Sequence, residues 1–250
     1  MAARPLLLKV QTRVIKNLAN SLTLLNLALG MLALVMIIEG NMVMGAHLIL
    51  FAAVADGLDG KVSTLTKSNN EFGKQLDSLA DVVSFGVLPA VLAYKTAMSE
   101  LVLLGFVVAS VFCACGVLRL ARFNVLPPGG QFKGLPITIA GGTVAAIILY
   151  GERLNSGTVL FFVLVLSLLM VSSIPYPKFK EALKRQNTVY ISLFALLSLA
   201  AALLYRELFA LIVMVSYVAY GLIVALVNRI FATADIEEET AYQEELLGED

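Results

Sequence analysis

Residues 56–86 read DGLDGKVSTLTKSNNEFGKQLDSLADVVSFG, a run that sets four aspartates among long apolar stretches. The acids are Asp56, Asp59, Asp77 and Asp81. Spacings of i, i+3 and i, i+4 place each pair on one face of a helix. A carboxylate at bilayer depth is costly, so it needs a cation, a partner or a water-filled cavity. Two converging pairs of oxygen ligands would suit Mg²⁺, Mn²⁺ or Ca²⁺ and the chemistry of phosphate esters.

The composition indicates a membrane protein. Hydrophobic residues make up 59% of the 250 residues, charged residues make up 14%, and the mean hydropathy is +0.88. A soluble domain of this length would be less apolar. Several apolar runs reach the length of about 20 residues that a helix needs to cross a bilayer, and open strands are not tolerated in lipid. We therefore expect an all-α, polytopic membrane bundle, and the zero net charge argues against a nucleic-acid partner.

The apolar runs predict about eight transmembrane helices in one membrane-embedded domain, residues 18–232. Residues 1–17 alternate basic and apolar side chains, so we expect an N-terminal amphipathic helix at the membrane interface. Residues 233–250 are acidic and are predicted to form a solvated cytoplasmic tail. The expected spans are roughly 18–39, 43–65, 71–97, 101–123, 136–150, 157–173, 188–205 and 208–230.

The basic residues are unequally divided between the two sides of this predicted bundle. If the N-terminus lies inside, one side holds fifteen lysines and arginines, and the other side holds only Lys95, Arg153 and Arg206. Cytoplasmic loops carry the excess of basic residues in membrane proteins. We therefore expect both termini and the aspartates on the cytoplasmic side of the cell membrane.

The aspartates belong to a longer pattern, D-x2-D-G-x2-S-T-x8-G-x3-D-x3-D, which spans 26 residues. This pattern resembles the signature of the CDP-alcohol phosphatidyltransferase family, D-x2-D-G-x2-A-R-x8-G-x3-D-x3-D. The family has Ala-Arg where this chain has Ser63-Thr64. A lysine at 61 or 67 would replace the charge but lacks the guanidinium fork. The matching positions are Asp56, Asp59, Gly60, Gly73, Asp77 and Asp81.

The resemblance covers about residues 18–145 and is nearest to the CDP-diacylglycerol–serine O-phosphatidyltransferase (phosphatidylserine synthase) branch of the family. It implies metal-dependent phospholipid biosynthesis, in which a phosphatidyl group passes from CDP-diacylglycerol to the hydroxyl of L-serine and CMP is released. The similar segments are NSLTLLNL at 20–27, LDSLADVVSFGVLPA at 76–90, GVLRLARFNV at 116–125 and FKGLPITIAGG at 132–142.

The same resemblance implies roles for individual residues. Asp56, Asp59 and Asp77 would hold a divalent metal, Mg²⁺ or Mn²⁺ and alternatively Ca²⁺. Asp81 would complete the metal shell and act as the catalytic base towards the serine hydroxyl. The expected CDP-lipid-binding residues are Asn20, Thr23, Gly60, Ser63, Thr64 and Gly73. The expected acceptor-binding residues are Ser84, Arg119, Arg122 and Lys133.

Other interpretations remain open from the sequence. The acceptor of a family member could instead be glycerol 3-phosphate, inositol phosphate or choline, because the signature concerns the shared CDP donor. The Ser63-Thr64 departure would fit a member with impaired turnover, or a scaffold that kept the fold. Intramembrane acids also mark ion-coupled transporters, although those more often place the acids near the midplane of inverted repeats. The expected partners are CDP-diacylglycerol, L-serine, membrane lipid and a second copy in a homodimer.

Three further residues have ordinary explanations. Cys113 and Cys115 lie two apart in an apolar run, so they point to different faces and are expected to be small buried side chains. His47 is expected near the outer end of the second helix, away from the aspartates, and without a catalytic role.

Overall fold

The computed structural model describes residues 3–65, 71–125, 134–150, 154–174 and 211–223, and its side chains are described from residue 18 onward except at 19 and 61–65. Every element in these ranges is a helix, and none is a strand, so the predicted all-α class is confirmed. The helices are α1 Ala3–Ile38, α2 Met42–Leu65, α3 Glu71–Met98, α4 Val102–Val125, α5 Ile137–Tyr150, α6 Ser156–Val171 and α7 Leu211–Ile223.

Four of these helices contain segments long and apolar enough to cross a membrane, which makes the chain an integral membrane protein. The shorter apolar helices are α5, α6 and α7. Eight spans stay a prediction, because the expected span 188–205 lies outside the described residues and 208–230 is described only at Leu211–Ile223. The four long segments are Asn20–Ile38, Met42–Gly60, Glu71–Met98 and Val102–Val125.

The first helix is longer than the sequence led us to expect. Ala3–Ile38 is one continuous helix, with no break at the expected boundary after residue 17. The interfacial position of residues 1–17 stays a prediction. The turn into α2 uses Gly40, whose φ of +85° is a left-handed conformation that a residue without a Cβ adopts freely. Asn41 then caps α2, since its side-chain oxygen accepts a hydrogen bond from the backbone N–H of Met44 at 3.0 Å.

The third helix changes its winding immediately after Asp81. Residues Val82–Val87 form a π-helical turn, in which the backbone N–H of Leu88 donates to the carbonyl of Val83. Pro89 follows, and proline has no N–H to donate to the carbonyl four residues earlier. A wider turn accommodates that missing bond, and such turns are frequent at functional sites. The widened segment therefore follows from a local sequence signal and directly adjoins one of the four acids.

Helix α5 is seated against α3 and α4 by close backbone approach. A Cβ added at Gly141 would lie 2.6 Å from the carbonyl oxygen of Phe85, and one added at Gly116 would lie 2.6 Å from Ile137. Both Phe85 and Ile137 are completely buried. Gly141 thus allows α5 to contact the π-helical turn directly, and Gly116 leaves room on α4 for the side chain of Ile137. These contacts place the beginning of α5 beside the aspartates.

Candidate active site

Three carboxylates from two helices converge on one point. Asp56 and Asp59 come from the C-terminal half of α2 and Asp77 comes from α3, and each offers an oxygen within 4.8 Å of the others. Asp59 is buried, and the other two acids are half-buried. The sequence spacing predicted that the acid pair of α2 and the acid pair of α3 would face one another. The structure brings three of these four acids together.

The fourth acid, Asp81, lies one turn further along α3 and is buried. The side-chain amide of Asn26 in α1 donates to one of its carboxylate oxygens at 3.4 Å. Asp81 also interacts electrostatically with Asp56 and Asp77. It is therefore part of the same acidic group, although the tight cluster of three oxygens does not include it.

Hydrogen bonds from other helices orient two members of the cluster. The hydroxyl of Thr23 in α1 donates to Asp59, and the hydroxyl of Thr138 in α5 donates to Asp56 at 3.1 Å. Metal-binding carboxylates are commonly held by such neighbouring donors, which fix the direction of the ligand. These donors are neutral, so they orient the two carboxylates without cancelling their negative charge.

A divalent cation suits this donor set. Oδ1 of Asp77 is buried and accepts no hydrogen bond among the described residues. An unpaired carboxylate oxygen in a low-dielectric site is costly, and several acids together repel one another. Hard carboxylate oxygens at this separation match the preference of Mg²⁺, Mn²⁺ and Ca²⁺. The acidic group can thus hold a metal, and Asp56, Asp59 and Asp77 are the residues placed to do so.

The expected CDP-lipid residues lie around the same end of the bundle as far as they are described. A Cβ added at Gly73 would come within 3.3 Å of the side-chain oxygen of Asn20, so α1 and α3 approach closely there. A Cβ at Gly60 would meet no atom within 4 Å among the described residues. The side chains of Ser63 and Thr64 are not among those that the structure describes.

The expected acceptor residues separate into different environments. Arg119 is partly buried, interacts electrostatically with Asp81 and Asp56, and places its guanidinium 5.9 Å from the ring centre of Phe123. Arg122 is exposed and donates to the backbone carbonyl of Val171 at 3.2 Å. Lys133 lies outside the described residues. Arg119 is therefore within electrostatic range of the acids, whereas Arg122 is bonded to the end of α6.

Ser84 is fully buried at the contact between α1 and α3. Its hydroxyl donates to the backbone carbonyl of Asn26 at 3.4 Å, and a Cβ added at Gly30 would lie only 2.6 Å from the hydroxyl oxygen. This position gives Ser84 a helix-packing contact in the structure. Its predicted contact with the acceptor remains a prediction.

Several polar residues near the acids were not identified from the sequence. Asn26 follows Thr23 by three residues, so the shared helix face was a usable signal. Thr138 had no comparable local signal. A second polar contact joins α3 to α4: the amide of Asn124 donates to the hydroxyl of Ser78 at 3.0 Å, and Lys74 donates to the carbonyl of Asn124 at 3.0 Å. This contact ties the end of α4 to the helix that carries Asp77.

His47 lies away from the acids. It precedes Asp56 by nine residues on the same helix, which corresponds to roughly 13 Å along the axis. Its Nδ1 is 2.8 Å from the carbonyl oxygen of Val43, one turn earlier in α2. Cys113 and Cys115 are free thiols of intermediate burial. None of these contacts joins the described residues of the acidic group.

An integral membrane bundle with a partly buried, metal-compatible carboxylate cluster defines the class of protein. A family model described as CDP-alcohol phosphatidyltransferase matches residues 16–174, which include the whole cluster. The chain belongs to this family, and the family predicted from the aspartate pattern is confirmed.

Relatives within the family are similar along most of the chain. A CDP-diacylglycerol–serine O-phosphatidyltransferase of Methanocaldococcus jannaschii is 37% identical over 214 residues, or 84% of this chain and 95% of the relative. An archaetidylserine synthase of Methanothermobacter thermautotrophicus is 40% identical over 166 residues, or 64% of this chain and 70% of the relative. A CDP-diacylglycerol–serine O-phosphatidyltransferase of Helicobacter pylori is 35% identical over 214 residues, covering 82% and 89% of the two chains.

Proposed function

We propose that this protein transfers a phosphatidyl group from CDP-diacylglycerol to the hydroxyl of L-serine and releases CMP. The observation that carries the proposal is the convergence of Asp56, Asp59 and Asp77 within 4.8 Å, in a chain that belongs to the CDP-alcohol phosphatidyltransferase family. Serine as the acceptor is supported by the names of the similar relatives, which share serine although they differ in the lipid.

The three clustered acids hold the divalent ion in this proposal. When bound, the ion would neutralise the diphosphate and stabilise the charge that develops on departing CMP. Thr23 and Asn26 orient Asp59 and Asp81 from α1. The proposed ion is Mg²⁺ or Mn²⁺, with Ca²⁺ as the alternative, and the rate of CMP release with each ion distinguishes them.

Asp81 acts as the general base. Its carboxylate accepts the proton of the serine hydroxyl while the serine oxygen forms a bond to the phosphorus of the phosphatidyl group. The bond between that phosphorus and the bridging oxygen breaks, and CMP leaves with the electron pair. A base must lie within hydrogen-bond reach of the proton it takes, and Asp81 is the buried acid adjoining the cluster. In this role Asp81 can also complete the metal shell.

Arg119 binds the carboxylate of serine in the proposed complex. Arginine suits this task because its guanidinium makes paired hydrogen bonds to a carboxylate. Its electrostatic interaction with Asp81 and Asp56 supports this role. Further acceptor contacts are proposed for Ser84, Arg122 and Lys133. The CDP-lipid is proposed to contact Asn20, Thr23, Gly60, Ser63, Thr64 and Gly73.

We further propose that the acids lie at the cytoplasmic end of the bundle, in the cell membrane, with both termini in the cytosol. The division of fifteen basic residues against three supports this orientation. The domain is proposed to extend over 18–232, between an interfacial segment at 1–17 and an acidic tail at 233–250. A homodimer is the proposed assembly, and sedimentation of the detergent-solubilised protein measures its mass.

The test is CMP release by the purified protein in detergent, with CDP-diacylglycerol, Mg²⁺ or Mn²⁺, and a panel of alcohols. We expect CMP to appear with serine and to be absent in excess EDTA. An ether-linked CDP-lipid in a parallel reaction measures the lipid preference. Turnover of glycerol 3-phosphate or inositol phosphate with none on serine would refute the acceptor, whereas undiminished release in EDTA would refute the metal requirement.

A further inference from the structure

A hydroxyl from the fifth helix reaches the carboxylate cluster across 82 residues of sequence. Oγ1 of Thr138 donates to Oδ2 of Asp56 at 3.1 Å. Thr138 is the second residue of α5 and is partly buried, and Asp56 is one of the three acids whose oxygens converge. The bond therefore joins the acidic group to a helix that supplies no acid to it.

The position of Thr138 is fixed by the packing of its own helix. The preceding residue, Ile137, is completely buried. Its side chain packs against two glycines of other helices: a Cβ added at Gly116 would lie 2.6 Å from it, and one added at Gly86 would lie 3.6 Å from it. One turn later, Gly141 packs directly on the backbone of Phe85. Because both ends of this turn are held against other helices, α5 cannot slide without moving Thr138 away from Asp56.

The chemistry of the donor is suited to a metal ligand. A neutral hydroxyl occupies one lone pair of the carboxylate and leaves its negative charge undiminished, whereas a lysine or arginine would compete with the cation. Donors in this position set the direction of a ligand, and their removal typically weakens metal binding by about 10- to 100-fold. By contrast, Asp77 has a buried oxygen without a hydrogen-bond partner among the described residues.

We propose that Thr138 is a positioning residue that holds Asp56 in the orientation in which it converges with Asp59 and Asp77. This inference rests on the proposed function insofar as the acids hold a divalent ion. It adds that the metal site depends on the seating of α5, and that a hydroxyl at position 138 is required for full metal affinity.

The experiment measures Mn²⁺ affinity of the purified protein in detergent, without CDP-lipid or serine, by calorimetry and by the metal-dependent rise in unfolding temperature. Three variants are compared with the unaltered chain: Thr138→Val, which removes the hydroxyl at nearly constant shape, Thr138→Ser, which keeps it, and Thr143→Val. The last is a matched control, because the buried Thr143 of the same helix donates to the backbone carbonyl of Ile139, one turn earlier, at 2.7 Å rather than to a described carboxylate.

We expect Thr138→Val to weaken Mn²⁺ binding about 10- to 100-fold, while Thr138→Ser and Thr143→Val retain most of the affinity. Equal Mn²⁺ affinity of Thr138→Val and the unaltered chain would overturn the inference, as would a loss in Thr138→Val matched by Thr143→Val. Because binding is measured without substrates, the result is independent of the acceptor. A chain that binds Mn²⁺ but turns over no serine would contradict the proposed function and leave the Thr138 result standing.

Discussion

At the scale of single residues, the four acids meet different surroundings. Asp56, Asp59 and Asp81 each accept a hydrogen bond from a side chain of another helix, whereas Oδ1 of Asp77 is buried with no such donor among the described residues. Leaving a buried charged oxygen unpaired is costly. This residue is therefore the acid whose placement depends most on a cation, and its replacement tests the metal site directly.

The change Asp77→Asn should lower CMP release by at least about 100-fold, because the amide cannot supply the anionic oxygen that the metal requires. The same variant should lose most of its Mn²⁺ affinity. Glu39→Gln serves as the control, since Glu39 is an exposed acid next to the turn between α1 and α2, away from the cluster. Turnover by Asp77→Asn equal to that of Glu39→Gln would refute a metal-binding role for Asp77.

Two arginines one turn apart on α4 should behave differently. Arg119 interacts electrostatically with Asp81 and Asp56, whereas Arg122 donates to the carbonyl of Val171. A charged hydrogen bond is worth about 1.5–3 kcal/mol, so Arg119→Ala should raise KM for serine by about 10- to 100-fold with a smaller effect on KM for CDP-diacylglycerol. Arg122→Ala should change the serine KM less. The KM values are measured from initial rates at varied serine concentration. A larger increase in the serine KM for Arg122→Ala than for Arg119→Ala would assign the acceptor role to Arg122 instead.

The departure from the family pattern at Ser63-Thr64 is also testable. The double change Ser63→Ala with Thr64→Arg restores the family's pair. If loss of the guanidinium weakens phosphate binding, activity should increase and KM for CDP-diacylglycerol should fall. An unchanged KM would mean that a lysine already supplies the charge, and Lys61→Ala and Lys67→Ala in the original background would then identify which one.

What the sequence predicts about the site follows from the range of each interaction. The two acid pairs are local, because helical periodicity alone places Asp56 with Asp59 and Asp77 with Asp81. The donor to Asp56 comes from a residue 82 positions away, and the partner of Asp81 from one 55 positions away. Such contacts depend on how helices pack against one another. No local pattern at Thr138 indicates them.

At the scale of helices, apolar length predicted most of the boundaries. The expected spans for α2 to α6 agree with the observed ends to within two residues. The π-helical turn Val82–Val87 was not predicted, although Pro89 provides a physical reason for it. The hydropathy pattern of a sequence indicates the length of a helix. The winding of that helix depends instead on which backbone groups lack a hydrogen-bond partner, as at a proline.

Seating of α5 on α3 should be sensitive to a single methyl group. In Gly141→Ala the new Cβ would lie 2.6 Å from the backbone oxygen of Phe85, so the helices must separate, at a cost of about 1–3 kcal/mol. Gly157→Ala is the control, since its Cβ would have only an ordinary contact with Asn155 at 3.7 Å. Because alanine has the better helix propensity, a higher unfolding temperature for Gly141→Ala would contradict tight seating.

At the scale of the whole molecule, successive helices run antiparallel, so residues of the site from different helices lie at the same end of the bundle. Thr23 in α1, Asp59 in α2 and Asp77 in α3 meet there. At the other end, Lys95 of α3 reaches the last turn of α1 through a 3.5 Å hydrogen bond to the carbonyl of Ile37. The predicted helical class and family are confirmed, and the number of spans and the orientation stay predictions.

Orientation can be measured by cysteine accessibility in a background lacking Cys113 and Cys115. A single cysteine at position 41 or 100, at the end opposite the acids, should be labelled from outside sealed cells by a membrane-impermeant thiol reagent. A single cysteine at position 67 or 133 should be labelled only after the membrane is opened, because the basic excess retains those loops in the cytosol.

CMP release by each cysteine variant provides the control that the protein is folded. Labelling of a cysteine at position 67 from outside, together with protection of one at position 41, would mean that the true topology is the opposite of the proposed one. Serine and the CDP headgroup would then have to approach the acids from outside the cell. The positive-inside assignment and the supply of both substrates from the cytosol are thus tested by the same labelling pattern.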